Sequence, residues 1–213
     1  MLNRNTNSFQ DNETSRIEAF SDGVFAIEMT LLSFQLRGPA FKESFTSRTL
    51  FMAMLQQWPA YVAFLLSFAT IFVIWVNHHR MFNVIRRSDS QFMYQNGLLL
   101  LLTAAIPFSA SILATYIDTS AAELATALSM LIFGVITGTY YWMWQHATTD
   151  FSLLKRPAAD VRIQTVKSGL VVITSGYGLA VLVALLLPIV SILIGLMMVV
   201  LLARLKYHRE RVV

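Results

Sequence analysis

The sequence predicts an all-α integral membrane protein with six transmembrane helices. Three observations carry that expectation: composition, the lengths of the apolar runs, and the placement of the basic residues. Of 213 residues, 56% are hydrophobic and 13% charged, which lies well outside the makeup of a soluble domain. Cysteine is absent, which removes disulfides, thiolate nucleophiles and cysteine-containing zinc sites. A net charge of +4 could suggest a nucleic-acid partner. The Lys and Arg residues, however, fall between apolar stretches rather than along one amphipathic face, so they read as topology signals and no nucleic acid is expected.

Residues 1–14 are polar and lack the apolar core of a cleaved secretory signal, which makes them an arm. The first span runs over about residues 17–36. It is interrupted by Glu18, Asp22 and Glu28, but Ser15-x-x-Glu18 has the spacing of a capping box, and Gly38-Pro39 supplies a stop. Between Phe41 and Trp58, the run Leu50 to Leu55 is too short to cross a bilayer and suits a short external or interfacial helix.

Pro59 to Val76, Gly97 to Ile117 and Leu124 to Trp144 each meet the length of about 20 apolar residues that a bilayer core requires. From Ser168 to Ala203 no charge appears. A single helix of that run would reach roughly 54 Å against a core of about 30 Å. The run therefore divides at Leu187-Pro188, where proline removes a backbone donor and crowds the preceding turn.

These boundaries predict one membrane domain over residues 15–205, followed by a basic tail over 206–213. With the N-terminus cytoplasmic, only Arg37, Lys42 and Arg48 of the sixteen Lys and Arg residues fall outside. The positive-inside rule then places both termini in the cytoplasm of a multi-pass cell-membrane protein. Membrane lipid is its surrounding partner.

Ionisable residues within a span cost several kcal/mol and face a protein interior or a water-filled path. Ser21, Glu28 and Gln35 recur every seven residues on one helical face, while Ile27, Thr30, Leu31 and Phe34 share a neighbouring face. From spacing alone, the polar face fits either a buried helix contact or a wetted path, and the apolar stripe fits ordinary packing.

Arg16-x-x-x-Phe20-Ser21-Asp22-Gly23 resembles the R-x-x-x-F-S-D-G signature of the transmembrane protein 175 family, the lysosomal and prokaryotic potassium channels. The likeness continues through Val24 to Ile27 and Thr30 to Leu32, and into Trp75-Val76-Asn77-His78-His79-Arg80 near the cytoplasmic end of the second span. The resemblance implies a homotetramer of single-repeat subunits whose first helices line a central pore, with K+ as the permeant ion and no cofactor or structural metal. It places Ile27 at a narrow apolar constriction, with Thr30 or Leu31 and then Phe34 as successive layers toward the outside. Glu28 stands where the family usually has a small or apolar residue, and Phe34 is bulkier than the aliphatic residue expected.

The family has no carbonyl filter, and no T-V-G-Y-G stretch occurs here. A ring of four isoleucines dewets, and a crossing ion must shed hydration there; potassium releases its water more readily than sodium, which gives a modest preference.

Arg16, Ser21 and Asp22 read as structural glue, with Trp75, Asn77, His78 and His79 as candidate partners for Asp22. The adjacent His78 and His79 project about 100° apart, which does not suit joint chelation of a metal. Tyr140, Tyr141, Trp142 and Trp144 end the fourth span as headgroup-level anchors. Gly134-x-x-x-Gly138 and the Ser175 to Gly178 run suit close helix contacts. The competing readings are a proton-conducting channel and a secondary transporter using Asp22 and Glu28, although the chain shows little of the internal symmetry that transporters carry. An enzyme is not expected, since no nucleophile or credible metal set accompanies Asp22, His78 and His79.

Overall fold

A computed structural model describes residues 5–36, 38, 46–149, 151–155, 157 and 161–207, with the backbone alone at 5–13 and 152. Pro39, Arg37, Lys42 and the tail beyond Tyr207 lie outside the described residues. Among those described, the regular structure is α-helix, with two 3-10 turns and an isolated antiparallel β-bridge between Ile85 and Leu154 besides. The helices are α1 (Asn5–Leu31), α2 (Ser47–Leu55), α3 (Trp58–Val84), α4 (Ser90–Thr103), α5 (Ile106–Tyr116), α6 (Ala122–Thr149), α7 (Ile163–Ala184) and α8 (Pro188–Ala203).

Among the described residues, four stretches are long and apolar enough to cross a membrane: α3, α4 with α5, α6 and α7; α8 is a shorter apolar helix. Their boundaries follow local chemistry. Pro59, Pro107 and Pro188 stand in the first turns of α3, α5 and α8, where the missing N–H costs nothing. Pro188 divides the long apolar run as expected. Thr46 and Thr49 cap α2 reciprocally, and Asp89 Oδ1 accepts from the Phe92 amide at 2.7 Å to start α4.

Two expectations need correction. The first helix begins at Asn5, ten residues before Ser15, so the Ser15-x-x-Glu18 spacing lies within a helix and caps nothing. Glu18 is instead drawn to His79 across the helix interface, with a separation of 2.9 Å. The third apolar stretch is not one straight helix either. Pro107 has no N–H for the Thr103 carbonyl, and α4 and α5 meet at a break over Ala104 and Ala105.

α6, α7 and α8 pack as successive neighbours, α3 lies against α5 and α8, and α1 rests on the outer face formed by α3, α4 and the start of α5. A Cβ at Gly134 would come 3.2 Å from the Tyr177 Cβ, and one at Gly176 would collide with Met198. These glycines are thus close contacts of α6 on α7 and of α7 on α8. The end of α8 is closed by Arg80, whose Nη1 donates to the Ala203 and Leu205 carbonyls at 3.0 and 3.1 Å, a cation on the negative pole of a helix. Asn77 donates to the Leu202 carbonyl beside it at 3.1 Å.

The headgroup-anchor reading also needs correction, at Trp144 and Tyr140. Trp142 is exposed, but Trp144 and Tyr140 are buried. Trp144 meets Tyr207 edge to face at 5.1 Å, so it packs the C-terminal segment onto the bundle.

Candidate functional site

Among the described side chains of α1 and of the 3-10 turn that follows it, the buried positions are Thr14, Ser21, Phe25, Glu28 and Leu32. Their steps of seven, four, three and four trace a narrow seam of the coiled-coil kind. The partner helix is α4, which runs parallel to α1. Asn96 Nδ2 donates to Ser21 Oγ at 3.0 Å, and Thr103 Oγ1 donates to Glu28 Oε1 at 3.0 Å, both pairs separated by 75 residues. Asn96 and Thr103 are themselves seven apart, so the two rungs repeat in register on both helices. One heptad further, Gln35 Nε2 reaches the Pro107 carbonyl at 3.3 Å. One heptad back, Thr14 Oγ1 donates to the Arg86 carbonyl at 3.3 Å.

The Ser21 rung continues inward as an ordered relay. His78 Nε2 lies 2.9 Å from Asn96 Oδ1; an amide oxygen only accepts, so Nε2 carries the proton. Asn96 passes a hydrogen to Ser21, and Ser21 Oγ donates to the Ile17 carbonyl at 2.9 Å. Phe25 edges onto the His78 ring at 5.3 Å and Phe82 stacks on it at 4.4 Å. Asp22, one residue around the helix from Ser21, accepts from Trp75 Nε1 at 2.8 Å.

The signature residues therefore separate. Ser21, Asp22, Trp75 and His78 form the link from α1 to α3 and α4. Asn77 belongs to the α3–α8 contact, and His79 takes Glu18 rather than Asp22. Arg16 and Phe20 are exposed and line a cleft of about 540 Å³ between α1 and α4, outside the network. Gly23 is exposed too, with open space where a Cβ would stand. Asn96 and Thr103 went unnoticed in the sequence because Asn96 falls in the polar stretch just before the predicted span at Gly97, and Thr103 is one of several Ser and Thr residues within that span. Their spacing of seven, matching that of Ser21 and Glu28, is the signal that was available.

Glu28 and Gln35, read as possible pore-adjacent groups, each hold a hydrogen bond within the subunit, to Thr103 and to the Pro107 carbonyl. Glu28 is 2% exposed and turned into the bundle, because its hydrogen-bond partner lies on α4. The apolar stripe instead forms the free face: Ile27 is 61% exposed, Leu31 44% and Phe34 68%. Thr30 shares that face, but its hydroxyl is folded back onto the Ile27 carbonyl at 2.8 Å. A helix that buries its carboxylate and presents isoleucine, leucine and phenylalanine has an apolar face free within one chain.

Such a site, on a bundle with four membrane-length apolar stretches, defines a multi-pass membrane protein of helical class. The chain matches the family described as endosomal/lysosomal potassium channel TMEM175 over residues 16–107. It is 45% identical over 149 residues to a potassium channel of Chamaesiphon minutus, covering 70% of this chain and 73% of that protein. The crystal structure of a lysosomal potassium-selective channel TMEM175 homolog from the same organism superposes with a TM-score of 0.80 at 35% identity, covering 90% of this chain and 97% of that one. The bovine endosomal/lysosomal proton channel TMEM175 is 35% identical over 100 residues, 44% of this chain but only 21% of its own length. The chain belongs to the TMEM175 family.

Proposed function

We propose that this protein is a potassium-selective cation channel of the cell membrane, a homotetramer whose central pore is lined by α1. Each subunit contributes six spans, namely α1, α3, α4 with α5, α6, α7 and α8, with both termini cytoplasmic. The observation that carries this reading is the orientation of α1: its buried Ser21 and Glu28 each hold a hydrogen bond to α4 within the subunit, and its apolar face is left over. One subunit has too few helices to enclose a pore with its first helix alone, so closed symmetry of four copies supplies the ring.

Four Ile27 side chains then form the narrow constriction, with Thr30 and Leu31 and then Phe34 above it. Permeation is passive, and potassium preference arises because a dewetted ring penalises the more tightly hydrated sodium ion. No cofactor takes part, and the signature residues act as scaffold.

The name of the bovine relative favours a second reading, in which protons also permeate. Purified protein in liposomes under opposing potassium and sodium gradients tests both. A reversal potential that follows potassium, from particles with the mass of four subunits, supports the channel. Flux that saturates like a carrier, or current from a monomer, overturns it. A reversal potential that follows an imposed pH gradient selects the proton reading.

A further inference from the structure

We propose that Glu28 and Thr103 form a latch that fixes the rotation of α1 on α4 and so decides which residues of α1 face the axis of the assembly; what that face does rests on the channel reading above. Thr103 is a positioning residue, and Glu28 is its counterpart. The rung is 3.0 Å long and buried on both sides.

Apolar contact is non-directional, so the buried Phe25 of α1, edged onto His78 of α3, and Leu32 just beyond α1 tolerate rotation of the helix. A hydrogen bond loses strength steeply with angle, and a carboxyl group turned toward lipid would be stranded. Glu28 thus makes a single azimuth favourable. Ile27 is the adjacent residue, about 100° around the helix, and its direction follows from that of Glu28. The Ser21–Asn96 rung seven residues away repeats the constraint, so a shift of one residue breaks both rungs together.

Thr103 is placed for this task. It is the last residue of α4, at the break imposed by Pro107, and Gln35 fastens the Pro107 carbonyl just beyond it. Its hydroxyl has one hydrogen and two acceptors in reach, Glu28 Oε1 and the Leu100 carbonyl, each at 3.0 Å. Replacing Glu28 by leucine therefore leaves Thr103 satisfied, whereas Thr103→Val alone strands the carboxyl group. The double change Glu28→Leu/Thr103→Val strands nothing, and a buried polar pair exchanged for apolar groups of similar shape is commonly tolerated.

The chain has no cysteine, so Leu31→Cys gives a unique site for a nitroxide label. In lipid vesicles, label on the otherwise native protein and on Glu28→Gln, which keeps an oxygen to accept from Thr103, should report one environment. In Glu28→Leu/Thr103→Val it should report two or more, as α1 samples other rotations. Glu28→Leu alone gives the same test if the double variant does not accumulate. A single unchanged environment in the variants lacking the rung overturns the latch, as does a Glu28→Gln spectrum as broad as theirs. Potassium flux through the unlabelled native protein is measured in parallel. Its absence overturns the channel reading, while the spectra still decide the latch.

Discussion

Two side chains three residues apart on α1 separate the proposed pore face from its scaffold. Ile27 lies on the free face, and Val24 is partly buried against the core. Ile27→Asn should wet the proposed constriction, raising current and moving the potassium-to-sodium permeability ratio toward unity, because amides solvate an ion where alkyl groups cannot. Val24→Asn should instead lower stability by roughly 1 to 3 kcal/mol through an unpaired buried amide, without that change in selectivity. Reversal potentials and melting of the two purified variants separate the cases, and an unchanged ratio in folded Ile27→Asn channels would sink the hydrophobic ring. Asp22 is read through its donor. Trp75→Phe keeps the ring and deletes the N–H, so the half-buried carboxylate loses its 2.8 Å bond at a cost of about 1 to 3 kcal/mol. Asp22→Asn, still an acceptor, should melt closer to the native protein in detergent. A Trp75→Phe variant as stable as the native one would show that the bond contributes nothing.

At the scale of elements, α4 holds α1, and its own start is held by Asp89. That carboxylate caps the Phe92 amide and also pairs with His146 at the end of α6, 2.8 Å away. Burial alone would push the Asp89 carboxyl up, but the Phe92 amide and His146 outweigh it and hold it below the usual carboxylate range. A depressed folded-state pKa gives stability that is present above the unfolded value, near about 4, and lost as pH falls through the folded one. Asp89→Asn can still cap but not pair. It should melt below the native protein above roughly pH 4, with the gap closing in more acid buffer. A gap that is constant from pH 6 to pH 3 would assign it to packing instead. Asp89→Ala removes the cap as well, for about 0.5 to 2 kcal/mol more.

For the whole molecule, the order of the helices was legible because long apolar runs and prolines act locally. Pro188 ends one helix and begins another whatever surrounds it. The seven-residue recurrence of Ser21, Glu28 and Gln35 was legible too, but not its direction, because periodicity gives a face and not its neighbour. Asn96 and Thr103 settle that direction, and a polar residue at the edge of a span and another within it identify no partner until the two helices are paired. The start of α1 was misread since a capping box is a local pattern that a continuing helix overrides, and Trp144 was misread because burial by Tyr207 depends on the returning chain. The same distance in sequence matters to biogenesis. α1 leaves the ribosome carrying Glu18, Asp22 and Glu28, and its partners follow 53 residues later in Trp75 and 75 later in Asn96 and Thr103. At roughly 5 to 20 residues per second, that wait lasts about 4 to 15 seconds, and a lone acid at the centre of a span costs about 2.5 to 3.5 kcal/mol to insert. The first helix made then settles into the bilayer only once α4 has followed it: nascent chains stalled before Thr103 should leave α1 extractable by alkaline carbonate, and chains stalled after α5 should retain it. Retention at both lengths would mean that α1 enters without waiting for α4.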